Sequence, residues 1–386
     1  MANYIWQLDD WKTAPVPLFS WAAESIDQRT VELQRALDDL VPRESRLIAD
    51  AKVQIRIDAL VQTALRSSEI EGEVLDARSV RSSVVNKLGL ETGGLQAEGT
   101  EQTDALAELL VNATTDLDQP VTLETLCHWQ AALFVEGDSE RDPLANINIG
   151  KLRGDQPMQV VSGRLDRPTV HFQAPPRPQL EDEIARFLNW FNHPPDDLNP
   201  YVRAAITHLW FVTLHPFDDG NGRVTRALAD RALAQAEETS IRFYSHSAAI
   251  MAKRNDYYAL LEKTQKGSLD ISEWNDWFLG TLIDAVALSK KALEQIINKS
   301  RFWQRHAQTV LNEREIKVLN RLLDFHGDEF TDGINASKYR SLAKVSRATA
   351  TRELTGLVNK GCLVKLPGGG RSTRYQLDLG VQKGNG

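Results

Sequence analysis

Apolar residues recur at the three- and four-residue spacing of α-helices along most of the chain. Two short stretches differ: residues 158–161 and 169–172 are β-prone and enclose a glycine-containing turn, which predicts a hairpin. The helical stretches run from 25 to 67, with a break at residues 41 and 42, and then over 103–117, 123–134, 180–192, 200–214, 223–236, 248–262 and 271–287. The central part of the chain is therefore predicted to be mainly α-helical with one β-hairpin.

The N-terminal residues 3–21 lack helical periodicity and are rich in aromatic side chains. Pro15 and Pro17 lie among these rings, which predicts an extended segment that crosses the body of the protein and buries its aromatic groups. The five aromatic residues are Tyr4, Trp6, Trp11, Phe19 and Trp21.

The C-terminal residues 311–386 form a further predicted domain. Helical patterns at 313–325, 336–344 and 347–360 precede two short strands, 363–366 and 374–377, and this order resembles a winged helix. The segment holds thirteen basic and eight acidic residues, so its net charge is about +5. Because the whole chain carries −8, the rest of the chain carries about −13. Two interpretations stay open, DNA binding and protein contact.

A winged helix that binds DNA places its third helix in the major groove and its hairpin near the phosphates. On this interpretation four residues line the start of the recognition helix and two arginines lie on the wing. They are Arg347, Thr349, Thr351 and Arg352, followed by Arg371 and Arg374.

Composition places the chain among soluble globular proteins with two or three domains. Its 386 residues are 42% hydrophobic and 25% charged, and its two cysteines, Cys127 and Cys362, lie too far apart in the sequence to suggest a disulfide framework. The first ten residues lack a signal-peptide pattern, and no apolar run is long enough for a membrane span. We therefore expect a cytoplasmic protein without a membrane partner.

The candidate chemistry lies between two predicted helices, in residues 215–226, which read HPFDDGNGRVTR. Gly220 and Gly222 permit backbone conformations and close approaches that other residues do not. The free N–H groups at the start of the second helix attract an anion. Arg223 and Arg226 lie three residues apart and project from one side of that helix, where their guanidinium groups suit phosphate oxygens. This pattern predicts a phosphate-binding loop.

Two more residues of the loop carry chemistry. Asp219 directly precedes the glycines, and Mg2+ prefers one or two carboxylates together with phosphate oxygens. His215 is the one group of the loop that takes up a proton near neutral pH. The alternative is a polar turn between helices with its arginines in solvent.

The loop resembles the signature of the Fic family, His-x-Phe-x-Asp/Glu-Gly-Asn-Gly-Arg-x-x-Arg, and matches it at every fixed position. Most Fic proteins transfer AMP from ATP to a hydroxyl group on a protein. The resemblance implies that His215 is the base for a Ser, Thr or Tyr hydroxyl and that Asp219 holds Mg2+. It further implies that Phe217 anchors the loop, that Gly220, Asn221 and Gly222 cradle the α- and β-phosphates, that Arg223 supports the phosphates and that Arg226 grips the γ-phosphate.

Residues 67–72, SSEIEG, taken alone indicate a helix end with Gly72 as a left-handed cap. Beside the Fic signature they resemble the inhibitory-helix motif of that family, Ser/Thr-x-x-x-Glu-Gly/Asn. The resemblance implies that Glu71 pairs with Arg226 in place of the γ-phosphate and that Ser67 helps to fix the inhibitory helix. Breaking such a partly buried ion pair typically costs a few kcal/mol, so the pair would oppose productive ATP binding.

The resemblance extends to three neighbouring features. The hairpin at 157–173 resembles the Fic flap, which binds an extended protein target by strand addition. Tyr258 resembles a tyrosine that packs against adenine, although Tyr257 and Tyr258 could equally be core aromatics. Gln265 lies where relatives carry a polar residue near the nucleotide. His171, on the hairpin, is more typical of a surface residue than of a second base.

The predicted fold class is mainly α, with an all-helical Fic core, a β-hairpin flap and a C-terminal winged helix. The predicted parts are residues 1–102, carrying the inhibitory motif, 103–290, the Fic core, and 311–386. The predicted function is autoinhibited, Mg2+-dependent transfer of AMP from ATP to protein hydroxyls, including self-modification, and a homodimer is left open. Alternatives are a nucleotide-sensing DNA-binding regulator, removal of AMP from a modified protein, and use of another nucleotide.

Overall fold

A computed structural model describes residues 4–14, 16–44, 49–90, 98–134, 147–164, 167–239, 242–324, 332–368 and 373–380. The chain divides into two compact units. The first comprises residues 1–42 and 49–289, and the second residues 43–48 and 290–386. The first unit holds the predicted N-terminal region and the predicted Fic core, apart from residues 43–48 and 290. The three-part division of the sequence stays a prediction, and Arg371 lies outside the described residues.

The N-terminal segment of the first unit is partly helical. A 3-10 helix at Ile5–Gln7 and helix α1 at Asp9–Lys12 lie in the stretch that the sequence predicted as extended, which was wrong for these residues. Residues 17–22 are not helical, and Ser20 forms a parallel bridge with Asp270. Trp6 and Trp11 are nevertheless buried. The longer helices are α2, Ala23–Glu44, α3, Ala49–Ile70, and α4, Ala77–Lys87.

Helix α2 continues through Pro42 to Glu44, so the predicted break at residues 41 and 42 was also wrong. Proline removes one backbone donor, so α2 carries this cost two residues before its end.

The other helices of the first unit include one that is buried along its length. In chain order they are α5, Glu101–Thr114, α6, Leu123–Ala131, α7, Arg177–Asn192, α8, Pro200–Leu214, α9, Asn221–Ala236, α10, His246–Ala252, and α11, Arg254–Gln265. Helix α8 is the central one, because every residue from Tyr201 to Leu214 is buried. Asn199 caps its N-terminus and Pro200 takes the first helical position, as the sequence predicted.

Two predicted helices have different bounds in the structure. The stretch predicted as one helix at 248–262 is α10 and α11, separated at Lys253, whose φ and ψ of −121° and 32° are not helical. Ser245 accepts a hydrogen bond from Ala248 N and so starts α10 earlier than predicted. The helix predicted at 271–287 is α12, which extends over Ser272–Arg305.

The predicted hairpin is present as strand β1, Gln159–Arg164, and strand β2, Arg167–Gln173, paired antiparallel with a bulge between Val160 and Val161. Its base is fixed at two points. Ala174 N donates to Met158 O at 3.0 Å, and the indole of Trp6 donates to Gln173 O at 2.7 Å. The N-terminal helices therefore help to hold the hairpin in place.

The second unit has the element order that the sequence predicted. Its helices are α13, Glu313–Leu323, α14, Ala336–Ala343, and α15, Arg347–Asn359, followed by strands β3, Leu363–Lys365, and β4, Tyr375–Leu377, which pair antiparallel. Ile334 forms an additional bridge with Tyr375, and both pack in the core of this unit with Leu319, Tyr339 and Leu354. The assignment to winged helices stays a prediction. Within the described ranges, no helix is long and apolar enough to cross a membrane.

Candidate active site

The signature loop connects the central helix α8 to α9 through two left-handed residues. His215 ends α8 with φ 48°, and Gly220 starts α9 with φ 85°. A left-handed conformation at a non-glycine residue is uncommon and opposed by sterics, so the neighbouring contacts must stabilise it at His215. The loop thus presents His215 at the end of one helix and the N-terminus of the next helix beside it.

Side chains fix the backbone of this loop. The Asn221 amide donates to Phe217 O at 2.7 Å and accepts from Phe217 N at 2.9 Å, while the Phe217 ring is fully buried. Arg153 donates from Nε to His215 O at 2.8 Å and from its backbone N to Pro216 O at 3.0 Å. The Asn221 side chain therefore fixes the loop through the backbone of Phe217. Arg153, from another segment of the chain, fixes it through the carbonyl groups of His215 and Pro216.

His215 has the tautomer that a general base requires. Its Nδ1 lies 3.1 Å from Val212 O, and a carbonyl can only accept, so Nδ1 carries the proton and Nε2 is left unprotonated in the neutral ring. Burial lowers the pKa of His215 below its usual value, although a hydrogen bond to Val212 O opposes the shift. The ring is therefore neutral at pH 7 and able to accept a proton at Nε2.

The anion site at the start of α9 already contains a carboxylate. Glu71 Oε1 accepts from Arg226 Nη2 at 2.8 Å, and a Cβ atom added to Gly222 would lie only 2.0 Å from that oxygen. Arg226 is buried, and its Nε and Nη2 also donate to Ser67 Oγ and Ser67 O, each at 2.8 Å. The pairing of Glu71 with Arg226 is thus present, and a side chain at position 222 would exclude any anion from this place.

Glu71 and Gly222 border one cavity of about 690 Å3 in the first unit, and Arg226 lies behind Glu71. His215, Asp219 and Gly222 lie at one end with Glu71, and the hairpin and α11 form the remaining walls. The volume is that of a typical small-molecule site, and its charged end is built from a helix N-terminus. The cavity can therefore hold a phosphorylated ligand with its phosphates toward α9.

The residues considered for the adenine side of the nucleotide site differ in their surroundings. Tyr258 is 38% exposed, and its hydroxyl donates to Ile70 O at 3.1 Å. Tyr257 is buried and pairs with His208, so it is a core aromatic. Gln265 is also buried, and its Nε2 donates to Thr213 Oγ1 at 3.2 Å. All three side chains still border the cavity.

Asp219 fits the predicted Mg2+ ligand. Its side chain is 56% exposed at the cavity, and Oδ1 accepts from Gly220 N at 2.6 Å. The described ranges contain no group of three His, Cys, Asp or Glu residues that could hold a metal ion. A metal beside Asp219 would thus take its other ligands from phosphate and water, which is the set that Mg2+ prefers. The carboxylate of Glu71 against Gly222 indicates that the neighbouring space accepts an anion.

Two family models match this chain. Residues 4–90 match a domain of unknown function, DUF4172, and residues 120–233 match the Fic/DOC family. The chain contains a Fic domain. The Fic match includes the whole signature loop, so the resemblance to the Fic family is confirmed. The DUF4172 match includes residues 67–72, and the inhibitory role of this motif stays a prediction.

Curated relatives are similar over part of their length. The chain is 30% identical to the uridine 5'-monophosphate transferase of Xanthomonas campestris over 131 residues, which covers 32% of this chain and 23% of that protein. It is 27% identical over 217 residues to the protein adenylyltransferase Fic of Nematostella vectensis, covering 55% and 45%. The chain thus spans less than half of the length of these relatives.

Solved structures share the fold. A Fic family protein from Desulfovibrio desulfuricans superposes with a TM-score of 0.50 at 19% identity, over 94% of this chain and 97% of that one. Fic-1 from Caenorhabditis elegans also gives 0.50, at 17% identity, over 71% and 74%. The mainly α fold with a small hairpin is therefore shared with these two proteins.

The structure brings the predicted residues together around the cavity or directly behind it, while their roles stay predictions. It adds residues that sequence reasoning missed. Glu73 contacts Arg223, Arg153 holds the loop, and Asn148 donates twice to Asp218 Oδ2, at 2.9 and 2.8 Å. Only Glu73 had a sequence signal, because it directly follows the inhibitory motif.

Proposed function

We propose that this protein is an autoinhibited, Mg2+-dependent protein adenylyltransferase. The observation that carries the proposal is a neutral histidine, His215, beside a helix N-terminus whose anion site contains Glu71. Relatives named protein adenylyltransferase Fic support the choice of ATP as substrate. The cavity beside α9 is the candidate ATP site.

In the proposed reaction the target hydroxyl oxygen attacks the α-phosphorus of ATP, and its proton passes to Nε2 of His215. A bond forms between that oxygen and the α-phosphorus, and the bond from the α-phosphorus to the bridging oxygen breaks. Pyrophosphate leaves with the electron pair. Mg2+ held by Asp219 would neutralise phosphate charge, and Arg223 and Arg226 would bind the β- and γ-phosphates. Catalysis is then mainly positioning and charge stabilisation.

The protein target is proposed to dock on the hairpin at 157–173. Val161 is 51% exposed and Ser162 is also exposed, and both lie on β1 at the cavity wall. An extended peptide added to the edge of β1 would place its hydroxyl near His215. Self-modification requires only that a segment of the same chain or of a second copy takes this place, so a homodimer fits the proposal without being required by it.

Autoinhibition follows from the place of Glu71. A γ-phosphate that binds Arg226 must displace a carboxylate which is 31% exposed and paired with a guanidinium that is 3% exposed. Because the guanidinium is buried, it needs a negative partner in either state. ATP and Glu71 thus compete for one cation.

The test is incubation of the full chain with Mg2+ and α-labelled ATP, read as label on protein. We expect Glu71→Gly to label strongly, wild type weakly, and Glu71→Gly/His215→Ala not at all. Retained labelling in the double variant would refute the role of His215. Parallel reactions with UTP, CTP and GTP address the alternative nucleotide, which the similarity to a uridine 5'-monophosphate transferase favours. Release of AMP from a labelled protein by wild type would favour the reverse reaction.

A second candidate function is DNA binding by the second unit, for which we propose α14 and α15 as the contact surface. From 336 to 352 the chain contains basic residues and no acidic ones. The basic residues are Lys338, Arg340, Lys344, Arg347 and Arg352. A helix pair with one sign of charge supports phosphate contact, and Arg347 and Arg352 are exposed on α15.

Selection from a random duplex library with the full chain tests this candidate. Enrichment of a shared sequence that Arg347→Ala/Arg352→Ala abolishes would support DNA binding. Arg314→Ala is the matched control, because Arg314 pairs with Glu353 instead. Absence of enrichment would leave protein contact as the function of this unit. The expected cytoplasmic location stays a prediction.

A further inference from the structure

We propose that Glu73 is a second inhibitory carboxylate, which withholds Arg223 from ATP as Glu71 withholds Arg226. The inference rests on the proposed transferase function and concerns the regulation of the same site. Residues 67–73, which we call the clasp, would then neutralise both arginines of the signature. Glu73 lies one residue beyond the inhibitory motif and has no role in that motif.

The contact between Glu73 and Arg223 is close. Arg223 Nη1 donates to both carboxylate oxygens of Glu73, at 2.9 and 2.8 Å. The Arg223 side chain is 5% exposed and that of Glu73 is 28% exposed. Charge-assisted hydrogen bonds of this kind are stronger than neutral ones, and partial burial protects them from screening. Glu73 is therefore the dominant partner of Arg223 among the described residues.

The remaining donors of Arg223 point to an anion that is not Glu73. Nη2 lies 3.9 Å from Asp219 Oδ2, beyond hydrogen-bond distance. Nε is buried without a hydrogen-bond partner among the described residues. A buried donor normally has a partner, so a phosphate oxygen near Asp219 would satisfy groups that Glu73 leaves unused. A phosphate at Nε and Nη2 would meet a guanidinium whose charge Glu73 already neutralises through Nη1, and this weakens its attraction for the phosphate.

The backbone of the clasp explains how two carboxylates reach one helix. Gly72, with φ 90°, reverses the chain between Glu71 and Glu73. Ser68 O accepts hydrogen bonds from the N–H groups of both glutamates, each at 3.0 Å. The turn thus directs both side chains toward the first turn of α9, where Arg223 and Arg226 lie three residues apart. One conformational change of the turn would release both arginines.

Removal of Glu71 alone should then leave the protein partly inhibited. Arg223 would remain paired with Glu73, so the phosphates of ATP would still meet a cation whose charge is already neutralised. Partly exposed ion pairs contribute modestly, and we expect about a fivefold effect of Glu73 on the dissociation constant for ATP. The alternative is that Glu73 positions Arg223 for the phosphate, in which case its removal weakens ATP binding.

The experiment measures ATP binding by calorimetry with Mg2+, in the full chain carrying His215→Ala so that no turnover occurs. Glu71→Gly, Glu73→Gln and the double variant are compared. Glutamine keeps the size of the side chain and removes its charge. Glu69→Gln is the matched control, because Glu69 lies on the same turn and pairs with Arg66 rather than with a signature arginine. Thermal unfolding verifies that each variant is folded.

We expect Glu73→Gln to tighten ATP binding about fivefold in the Glu71→Gly background, with Glu69→Gln unchanged. The labelling rate at low ATP, with His215 restored, should rise by a similar factor. Unchanged or weaker ATP binding on Glu73→Gln would overturn the inference while the transferase proposal stands, provided that Glu71→Gly binds ATP. Failure of every variant to bind ATP would overturn the transferase proposal and this inference with it.

Discussion

The two halves of helix α9 use arginine in opposite ways. Arg223 and Arg226, in its first turns, pair with carboxylates from the clasp. Arg231, two turns further along, donates to four backbone carbonyl groups at the end of α5 and in the loop after it, at 2.6 to 3.2 Å. These carbonyls belong to Ala113, Thr115, Asp116 and Gln119.

The difference lies in what can replace the partner. A carboxylate on a side chain carries a charge that a phosphate can match, so its pair with arginine is open to exchange. Backbone carbonyls are neutral and are fixed by the fold, so they are not exchanged for a phosphate in this way. Burial also lowers the pKa of Arg231. The same residue type on one helix is thus part of a ligand site at one end and part of the framework at the other.

The largest expected effect concerns His215, which lies next to the half of α9 whose arginines pair with carboxylates. His215→Ala in the Glu71→Gly background should lower AMP transfer about 1,000-fold, because a general base typically contributes 100- to 10,000-fold. The temperature of unfolding should change little. Label incorporation and circular dichroism measure the two quantities. A His215→Ala protein that transfers at the parent rate would show that another group takes the proton.

The next effect concerns the framework half. Arg231→Met should lower the free energy of unfolding by about 3 kcal/mol, because four backbone carbonyl groups lose a buried donor. Arg223→Met should lower it by less and should abolish ATP binding. Urea unfolding of both variants makes the comparison. If Arg223→Met were as destabilising as Arg231→Met, the proposed contrast between the two halves would fail.

A smaller effect distinguishes an exchangeable partner from a fixed one. Glu71→Gln should lower the free energy of unfolding by about 1 kcal/mol without ligand, a value that includes the partial exposure of the pair. ATP at saturating concentration should restore this loss, since a phosphate then pairs with Arg226. ATP should not restore the free energy of unfolding that is lost in Arg231→Met. Thermal unfolding with and without MgATP reads both results.

The smallest effect concerns pH. Because burial lowers the pKa of His215, the neutral base persists below pH 6.5, and protons compete for it only in more acidic solution. The transfer rate of Glu71→Gly should therefore stay level as pH falls through about 6.5 and decline only below it. A rate profile measured over this range tests the sign. A midpoint above 6.5 would indicate that the charged ring is favoured instead.

Sequence reasoning succeeded where function depends on neighbours in the chain. The loop 215–226 and the helix α8 before it follow local rules of capping, glycine placement and charge, and their bounds were predicted closely. The pairing of Glu71 with Arg226 came from a family resemblance, because no local rule connects residues 155 positions apart.

Tertiary contacts explain most of what was missed. Arg153 is buried and holds the loop from 62 residues away, which its position in a polar stretch did not indicate. The length of α12 and the separation of α10 from α11 depend on packing and on a cap at Ser245, and helical periodicity alone did not resolve them. Gln265 was placed near the nucleotide, yet its amide also bonds to Thr213 inside the core.

The clasp is continuous with a helix on each side, since α3 ends at Ile70 and Asp76 caps α4. Because the clasp belongs to the same chain as the arginines with which it pairs, dilution cannot change its effective concentration at that site. The degree of inhibition is then a property of the single chain, set by the balance of two conformations and by the ATP concentration. Lowering the amount of this protein in a solution would not activate it, whereas a partner that binds the open form of residues 67–73 would.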